Sequence, residues 1–472
     1  MNYSEALAYL YSLSDFERGG PFSHAPEENL PREARLLAAV GNPQQRYNCT
    51  LIAGTKGKGS TAACIERVLR EAGLRTGLYT QPDLHTFRER MRVNGHLISE
   101  QQMAELVTEL RTKVEQIEQL HEFGSYITYE VATALALLYF ARQQVEHAVL
   151  EVGLGGRLDA TNVTEPLVSV IASISYDHMQ ILGNTLTEIA TEKAGIIKPR
   201  GIVVTSAQAP EALLAIARIS NARQAHLIRV GAMADDPAQA EVDAELLPAI
   251  SYRYTLEERA AEYQRFTVVA PGRVYNNLEI PLAGQHQLEN ATLALATLET
   301  LREKGVAWNE DALRRGLRNV FWPARMEVVG HDPTIVVDGA HNTDSMQKLL
   351  LALQESFHWH RLFIVLGVAR DKDLPGIVKA LSAIDAVVLT RMANPRAASI
   401  EQLHALFEQY APHVQVYTSD TSDSAMDLAS DLAGSDDLIC ATGSLYLAAE
   451  VLRWAAAHGD QVAREGIEGV DH

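Results

Sequence analysis

A glycine-rich segment between a strand-like run and a helical pattern is the part of this sequence best suited to chemistry. It extends from Gly54 to Ser60 and follows the apolar run Thr50–Ala53. Its three glycines allow a tight turn that directs several N–H groups at one anion, and the following helix N-terminus adds positive potential. Because Lys58 can reach terminal phosphates, the segment indicates an ATP-phosphate loop. Its candidate residues are Gly54, Thr55, Gly57, Lys58, Gly59 and Ser60.

The spacing of this loop departs from the strict Walker pattern. Ile52 stands where the first glycine would be, and Gly59 separates Lys58 from the hydroxyl group of Ser60. A helix N-terminal turn without a ligand is the alternative interpretation. It gives no reason for a lysine among glycines.

Three further residues have side chains suited to chemistry, two of them near the ends of predicted strands. Glu151 ends an apolar run and precedes a glycine-rich segment, which suits either a Mg²⁺ ligand or a carboxylate bound by backbone N–H groups. His178 also follows an apolar run and is either structural or a contact to metal or phosphate. Lys193 adjoins Glu192 on a helical pattern, and its local sequence indicates only a solvated ion pair.

Polar residues recur after a predicted strand in the C-terminal third. Asp338 follows the run Thr334–Val337 and can accept hydrogen bonds from a ribose, while His341 and Asn342 can face the reacting groups across a cleft. Ligands of parallel sheets bind beyond the carboxyl ends of the strands, which favours this placement.

The elements that position these residues form two series of alternating strand and helix patterns. The first contains the runs Thr50–Ala53, His147–Glu151, Leu167–Ser173 and Gly201–Ser206. The second contains Thr334–Val337, Leu362–Val368, Ala386–Arg391, Val414–Ser419 and Asp437–Ala441. Between them, Phe266–Ala270 and Leu278–Leu282 indicate an antiparallel pair. We expect an α/β fold.

At 472 residues the chain exceeds the size of a typical single core, so we expect two domains. Residues 1–322 should form a P-loop-type, mostly parallel sheet covered by helices. Residues 323–472 should form a smaller Rossmann-like α/β domain.

Composition restricts the class of protein. A net charge of −19 without a basic block argues against nucleic acid as a partner and for small molecules, with a metal to bring ATP to an acidic surface. Three scattered cysteines indicate neither disulfides nor a zinc site, as expected in the cytoplasm. An N-terminus without a signal-peptide pattern and the lack of a long apolar run argue against secretion and membrane insertion.

Taken together, ordered motifs along almost the whole chain resemble folylpolyglutamate synthase, including the form that is also dihydrofolate synthase, within the Mur ligase superfamily. They are Gly54–Ser60, Phe87–Arg90, Asn94–Gly95, Glu151–Asn162, Asp177–His178, Ile181–Gly183, Glu192–Lys198, Gly284–Ala291, Trp322–Glu327, Asp338–Asn342 and Thr442–Tyr446. The resemblance implies a cytoplasmic, monomeric ligase that uses ATP to phosphorylate a folate or dihydropteroate carboxylate. The amino group of L-glutamate then attacks the acyl phosphate.

The resemblance also implies roles for individual residues. Lys58 and Ser60 would serve the ATP phosphates, with Lys58, Lys193 and His341 as catalytic groups. The nucleotide contacts would be Asn290, Arg325 and Asp338. The Mg²⁺ ligands at two sites would be Ser60, Gln81, Glu151, His178 and Lys193, the last carbamylated by CO₂. The substrate contacts would be Thr128, Arg157, Asp159, His341 and Ser444, and the resemblance also allows a monovalent cation.

Three positions depart from the family pattern. Gln81 and Asp83 stand where the family usually has Ser and His, and Lys56 stands where it usually has Asn. The carbonyl oxygen of Gln81 is still a Mg²⁺ ligand, so we expect the metal site to persist with altered geometry. Lys56 adds a second cation to the loop.

Two other functions compete with this interpretation. One is a Mur-type ligase that joins an amino acid to a non-folate acid, against which the segments 153–162 and 442–446 favour the folate branch. The other is a non-catalytic nucleotide-binding protein, which would not require Lys58, Glu151, His178, Lys193 and His341 together.

Overall fold

The computed structural model describes residues 1–14, 26–207, 209–234, 247–260 and 263–458. Within these ranges the chain forms two α/β domains, each built around its own sheet, which confirms the predicted fold class. No described helix is long and apolar enough to cross a membrane.

The first sheet contains eleven strands among the described residues. They are β1 (Asn48–Ala53), β2 (Thr76–Tyr79), β3 (Met91–Val93), β4 (His96–Leu97), β5 (His147–Glu151), β6 (Val168–Ile171), β7 (Ile202–Thr205), β8 (His226–Ala232), β9 (Ile250–Arg259), β10 (Gln264–Ala270) and β11 (Arg273–Ile280). Their spatial order is β11-β10-β9-β8-β7-β6-β1-β5-β2-β3-β4. The strands from β9 to β2 in this order are parallel, and both edges are antiparallel. The predicted antiparallel pair is confirmed, with Phe266 opposite Leu278.

Helices cover both faces of this sheet. They are α1 (Tyr3–Ser12), α2 (Asn29–Ala39), α3 (Lys58–Glu71), α4 (Glu100–Glu118), α5 (Thr128–Arg142), α6 (Met179–Leu182), α7 (Leu186–Ala194), α8 (Pro210–Ala222), α9 (Gln285–Glu303) and α10 (Glu310–Arg318). Their starts follow local sequence: Ser99 and Thr185, for example, accept N–H bonds as caps of α4 and α7.

The second sheet contains six strands among the described residues. They are β12 (Glu327–His331), β13 (Thr334–Val337), β14 (Leu362–Leu366), β15 (Ala386–Thr390), β16 (Gln415–Ser419) and β17 (Leu438–Thr442), in the order β12-β13-β17-β14-β15-β16. All pairs are parallel except β12 with β13. The helices here are α11 (Thr343–Ser356), α12 (Leu374–Ala380), α13 (Ile400–Tyr410), α14 (Ser422–Leu432) and α15 (Leu445–Ala457).

Both sheets bury both of their faces, because their central strands are apolar on both sides. On β1, Leu51 and Ala53 join one core and Ile52 joins the other. On β14, Phe363 and Ile364 divide in the same way between the two cores of the smaller domain. Polar side chains therefore collect at the strand ends.

The predicted domain boundary at residue 322 falls between α10 and β12 and stays a prediction.

Candidate active site

A cleft of about 510 Å³ between the two domains collects polar groups from both. The larger domain contributes the segment between β1 and α3, the end of β5, α7 and α9. The smaller domain contributes the segment after β13. The predicted ATP, metal and catalytic residues all line this cleft: Gly54, Thr55, Gly57, Lys58, Gly59, Ser60, Gln81, Glu151, His178, Lys193, Asn290, Arg325, Asp338 and His341.

The phosphate loop is held in one conformation by its neighbours. The N–H group of Thr55 donates to the carbonyl oxygen of Ser173 at 2.8 Å. Gly57 precedes α3 with a φ of 84°, and a Cβ atom there would overlap the amide oxygen of Asn290 on α9. Glycine is required at this position for both reasons. The first turn of α3 consequently faces the cleft, where its free N–H groups can bind an anion.

Lys58 spans the space between the loop and the end of β5. Its Nζ atom donates to the carbonyl oxygen of Gly54 at 3.2 Å and lies 3.7 Å from Oε1 of Glu151. Burial raises the pKa of Glu151, and the Lys58 ammonium opposes that effect. The carboxylate and the ammonium therefore stabilise each other in a cleft that also has room for phosphate.

Lys193, whose local sequence indicated only an ion pair, is buried in the cleft. Its side chain is buried on α7, and Nζ donates to the Gly54 carbonyl oxygen at 2.9 Å. Burial, assisted by the nearby cations Lys58 and Lys56, lowers the pKa of Lys193 to about 7. Much of this lysine is consequently an uncharged amine at neutral pH, the form that can add to CO₂.

The residues around Glu151 fit a Mg²⁺ ion. The amide oxygen of Gln81 is buried and has no hydrogen-bond partner among the described residues, whereas the Gln81 amide nitrogen donates to Tyr129 and to the Glu151 carbonyl. An unpaired oxygen next to a buried carboxylate is a suitable donor set for a hard cation. The described residues contain no cluster of three His, Cys, Asp or Glu side chains that could hold a metal alone, so Ser60, Gln81 and phosphate oxygens would have to complete the shell.

His178 also lines the cleft, and its side chain is 39% exposed. It caps the short helix α6 in the left-handed conformation, with a φ of 48°. Burial lowers the pKa of His178 to about 4. Its imidazole is therefore neutral at physiological pH and has a lone pair for a cation.

The smaller domain presents Arg325, Asp338 and His341 to the cleft. Asp338 follows β13 and accepts N–H bonds from Met326 at 3.0 Å and from Ala340 at 2.8 Å, which fixes its carboxylate. Burial raises the pKa of Asp338, and the Arg325 guanidinium opposes that effect.

One lysine of the phosphate loop links the two domains. Nζ of Lys56 lies 3.3 Å from Oδ2 of Asp177 and 3.0 Å from Nε2 of His341. Burial would raise the pKa of Asp177, but Lys56 and His178 lower it below its usual range. Sequence reasoning noted Lys56 only as an extra cation and gave Asp177 no role of its own. The glycine-rich motif shows a cation there but does not show its partner, 285 residues away.

The other four predicted substrate residues lie outside the lining of this cleft, and each has partners within the protein. The Thr128 hydroxyl donates to Leu10 O at 2.9 Å, and exposed Arg157 pairs with Glu192 at 3.0 Å. Ser444 caps α15 by accepting the Leu447 N–H at 3.0 Å. Their substrate-binding roles stay predictions.

Asp159, the fourth of these residues, is buried within a network that includes Tyr129. It accepts the hydroxyl of Tyr129 at 2.8 Å and the N–H groups of Gly153 and Leu154 at 3.0 Å each. The network shapes the glycine-rich segment after β5. Tyr129 lies in a helical pattern without a local signal, which is why the sequence did not reveal its part in this network.

Comparison with known proteins agrees with this geometry. Two family models match: the Mur ligase middle domain over residues 52–298, and the glutamate ligase domain of Mur ligases over residues 324–445. The cleft lies between these two matched regions. Fold and site therefore define a Mur-type, ATP-dependent ligase.

Relatives that match along almost their whole length show which family of Mur-type ligases this chain belongs to. The chain is 35% identical over 435 residues to the dihydrofolate synthase/folylpolyglutamate synthase of Bacillus subtilis, covering 92% of this chain and 96% of the relative. It is 33% identical over 461 residues to the folylpolyglutamate synthase of Lacticaseibacillus casei, covering 96% and 98%. The solved structure of Mycobacterium tuberculosis folylpolyglutamate synthase complexed with ADP superimposes with a TM-score of 0.84 at 31% identity, covering 96% of this chain and 98% of that one. The chain belongs to the folylpolyglutamate synthase/dihydrofolate synthase family.

Proposed function

We propose that this enzyme joins L-glutamate to the carboxylate of a folate or of dihydropteroate through an acyl phosphate. The observation that carries the proposal is a single cleft in which the phosphate loop of one domain faces His341 of the other, with 3.0 Å between Lys56 and His341. Family membership supports the choice of substrates. The runner-up is a Mur-type ligase for a non-folate acid, and the relatives described above, which are folylpolyglutamate or dihydrofolate synthases, favour the folate substrate instead.

In the first step, a carboxylate oxygen of the pteroyl substrate attacks the γ-phosphorus of ATP, and ADP leaves with the electrons of the broken bond. The N-terminus of α3 and Lys58 stabilise the charge on the transferred phosphoryl group. Asn290, Arg325 and Asp338 would hold the nucleotide, an arrangement supported by their positions in the cleft. The ADP complex of the M. tuberculosis relative supports nucleotide binding here.

In the second step, the amino group of glutamate attacks the acyl carbon, loses a proton and expels inorganic phosphate. A free carboxylate is a poor acyl donor, so phosphorylation must come first. His341 faces this reaction from the smaller domain, where its neutral imidazole lines the cleft that the attacking amine would enter. Lys56 and burial lower the pKa of His341 well below its usual range, which keeps the ring neutral.

We further propose that Mg²⁺ binds with Ser60, Gln81 and Glu151, and that a second ion uses His178 and a carbamylated Lys193. Bound Mg²⁺ would neutralise phosphate charge and favour attack at phosphorus. The Gln81 oxygen, which is buried without a partner among the described residues, and the lowered pKa of Lys193 support these two assignments.

Both walls of the cleft come from one chain, which supports a monomer as the working unit. The three buried free cysteines are compatible with the cytoplasm. Light scattering with and without substrates would test the oligomeric state.

The acyl phosphate can be tested directly. The enzyme, ATP and dihydropteroate or tetrahydrofolate are incubated with Mg²⁺ and K⁺ but without glutamate, and hydroxylamine is added. The proposal expects a hydroxamate at the activated carboxyl group of dihydropteroate or tetrahydrofolate, and its formation should depend on ATP and on Lys58. ATP turnover with glutamate but without any trappable acyl intermediate would contradict the two-step mechanism.

A further inference from the structure

Lys56 occupies an unusual position for a lysine in a phosphate loop. Its side chain is 22% exposed, and its ammonium group points across the domain boundary rather than along the loop. There it meets Nε2 of His341 at 3.0 Å and Oδ2 of Asp177 at 3.3 Å. Lys58, two positions later, turns instead towards Gly54 and Glu151. The two lysines of the loop therefore have different partners.

The hydrogen bonds of His341 define its tautomer. Its Nδ1 atom lies 2.9 Å from the carbonyl oxygen of Gly339, which can only accept, so Nδ1 carries the proton. In the neutral ring, Nε2 then has a lone pair, and Lys56 can donate to it. The imidazole is consequently held from both sides: by the backbone of its own domain and by the phosphate loop of the other.

Lys56 has more partners than the neutralisation of its charge requires. Asp177 alone would suffice to neutralise a lysine within the larger domain. The second bond, to His341, contributes nothing to the fold of that domain and exists only when the two domains are together. A cationic donor on the loop that binds phosphate thus contacts the one imidazole proposed to face the incoming amino acid.

We propose that Lys56 is a positioning residue for the amino-acid step, which acts by orienting His341 and coupling its position to the phosphate loop. This inference rests on the proposed function. Lys56 lies in the loop proposed to bind ATP phosphates, but the inference gives it a role in the step that uses glutamate. Removing the ammonium should therefore weaken use of glutamate more than use of ATP.

The test is a kinetic comparison of wild-type enzyme with Lys56→Met, His341→Ala and the double variant. We expect Lys56→Met to reduce kcat/KM for glutamate roughly tenfold while KM for ATP stays within about twofold. In the His341→Ala background, Lys56→Met should cost little more, because both changes remove the same interaction. Additive losses, or a large rise in KM for ATP, would overturn the inference.

Matched variants separate positioning from charge and from folding. Lys379→Met removes a lysine that lies outside the lining of this cleft, over the ring of Tyr410, and should leave glutamate use unchanged. Lys56→Arg keeps a cationic donor and should recover part of the lost kcat/KM. A Lys379→Met loss equal to that of Lys56→Met would show that net charge, not His341, is responsible.

A measurement on the wild-type enzyme makes the inference testable even if Lys56→Met does not fold. With ¹⁵N-labelled histidine, the His341 ring should show a protonated Nδ1 and an unprotonated Nε2 at neutral pH, assigned by comparison with His341→Ala. A proton on Nε2 would contradict donation from Lys56. If wild-type enzyme releases no phosphate with glutamate and either pteroyl substrate, the proposed function fails first; wild-type turnover with an unaffected Lys56→Met refutes the inference alone.

Discussion

The ammonium nitrogen of Lys193 lies 2.9 Å from the carbonyl oxygen of Gly54, although 139 residues separate the two in sequence. This bond joins α7 to the first residue of the phosphate loop. It places a buried amine beside the proposed phosphate and metal sites. A lysine whose local sequence indicated only a surface ion pair is thus part of the cleft.

Replacing Lys193 tests whether a carbamate is needed. Lys193→Ala should reduce kcat at least about a hundredfold, because the second metal loses an anionic ligand, and acetate or formate should restore part of the activity. Lys193→Arg keeps a cation that cannot be carbamylated and should stay inactive. Steady-state phosphate release, with and without added bicarbonate, provides the measurement. An active Lys193→Arg enzyme would show that the positive charge is what matters.

Lys58 is the cation proposed to meet the transferred phosphoryl group. Lys58→Met should reduce kcat by at least about a hundredfold, because preorganised charge stabilisation is lost from the transition state. The same assay measures this, with circular dichroism to show that the fold persists. Turnover near the wild-type rate would refute the phosphate-loop assignment.

Gly57 should be required both for its left-handed backbone conformation and for the space it leaves for Asn290. Gly57→Ala introduces a Cβ atom against Asn290, whereas Gly73→Ala, at a similar φ of 91°, meets nothing within 4 Å. Both variants should lose about 1 kcal/mol of stability from the left-handed conformation. Only Gly57→Ala should raise KM for ATP, by roughly tenfold or more, because it also displaces Asn290. Thermal melts and ATP titrations separate the two effects, and equal ATP kinetics would contradict the role of Asn290.

Gln81 should determine the Mg²⁺ requirement. Gln81→Ala removes the unpaired oxygen and should shift the half-saturating Mg²⁺ concentration upwards by roughly tenfold. Gln81→Ser restores a hydroxyl oxygen and should lie closer to wild type. Activity is measured over a Mg²⁺ series at fixed ATP. Identical Mg²⁺ curves for all three enzymes would exclude Gln81 from the metal shell.

Glu33 is a buried acid in α2, and it should make the stability of the fold depend on pH. Neither carboxyl oxygen of Glu33 has a hydrogen-bond partner among the described residues, and burial, with Glu130 and Asp159, raises the pKa of Glu33 well above its usual value. The unfolded chain loses this proton near pH 4.3, while the folded chain retains it. The contribution of Glu33 to the free energy of unfolding is therefore fully present below that pH and is lost as the pH rises towards the pKa of the folded state.

Glu33→Gln should remove that dependence. Its melting temperature should exceed that of wild type at pH 8 by more than at pH 5. Exposed Glu211 on α8 is the control, and Glu211→Gln should show no such difference. A Glu33→Gln gain that is independent of pH would mean that Glu33 is not protonated in the folded enzyme.

Sequence reasoning succeeded where local pattern and burial coincide. The strand His147–Glu151 has the predicted bounds because an apolar run ends at a charged residue, and the pair β10 and β11 follows from the turn at Pro271 and Gly272. The parallel pairing of β8 with β9, which joins that pair to the main sheet, aligns Arg229 with Ile250 and has no short turn between the strands to indicate it.

The same distinction applies within the site. Glycines and Lys58 carry a local signal for phosphate. The burial of Lys193, the Lys56–His341 contact and the Tyr129–Asp159 bond arise only from tertiary packing, so spacing along the chain cannot predict them.

The central claim is glutamate ligation to a pteroyl carboxylate, and phosphate release by the purified protein tests it most directly. Release is measured with ATP and Mg²⁺, in parallel with dihydropteroate and with tetrahydrofolate, each with and without L-glutamate. We predict release that requires glutamate and at least one pteroyl substrate; release with both identifies a bifunctional enzyme. If the protein binds ATP but releases no phosphate in a glutamate-dependent way with either substrate, the proposed function is wrong. The non-folate acids used by other Mur-type ligases would then be the substrates to test.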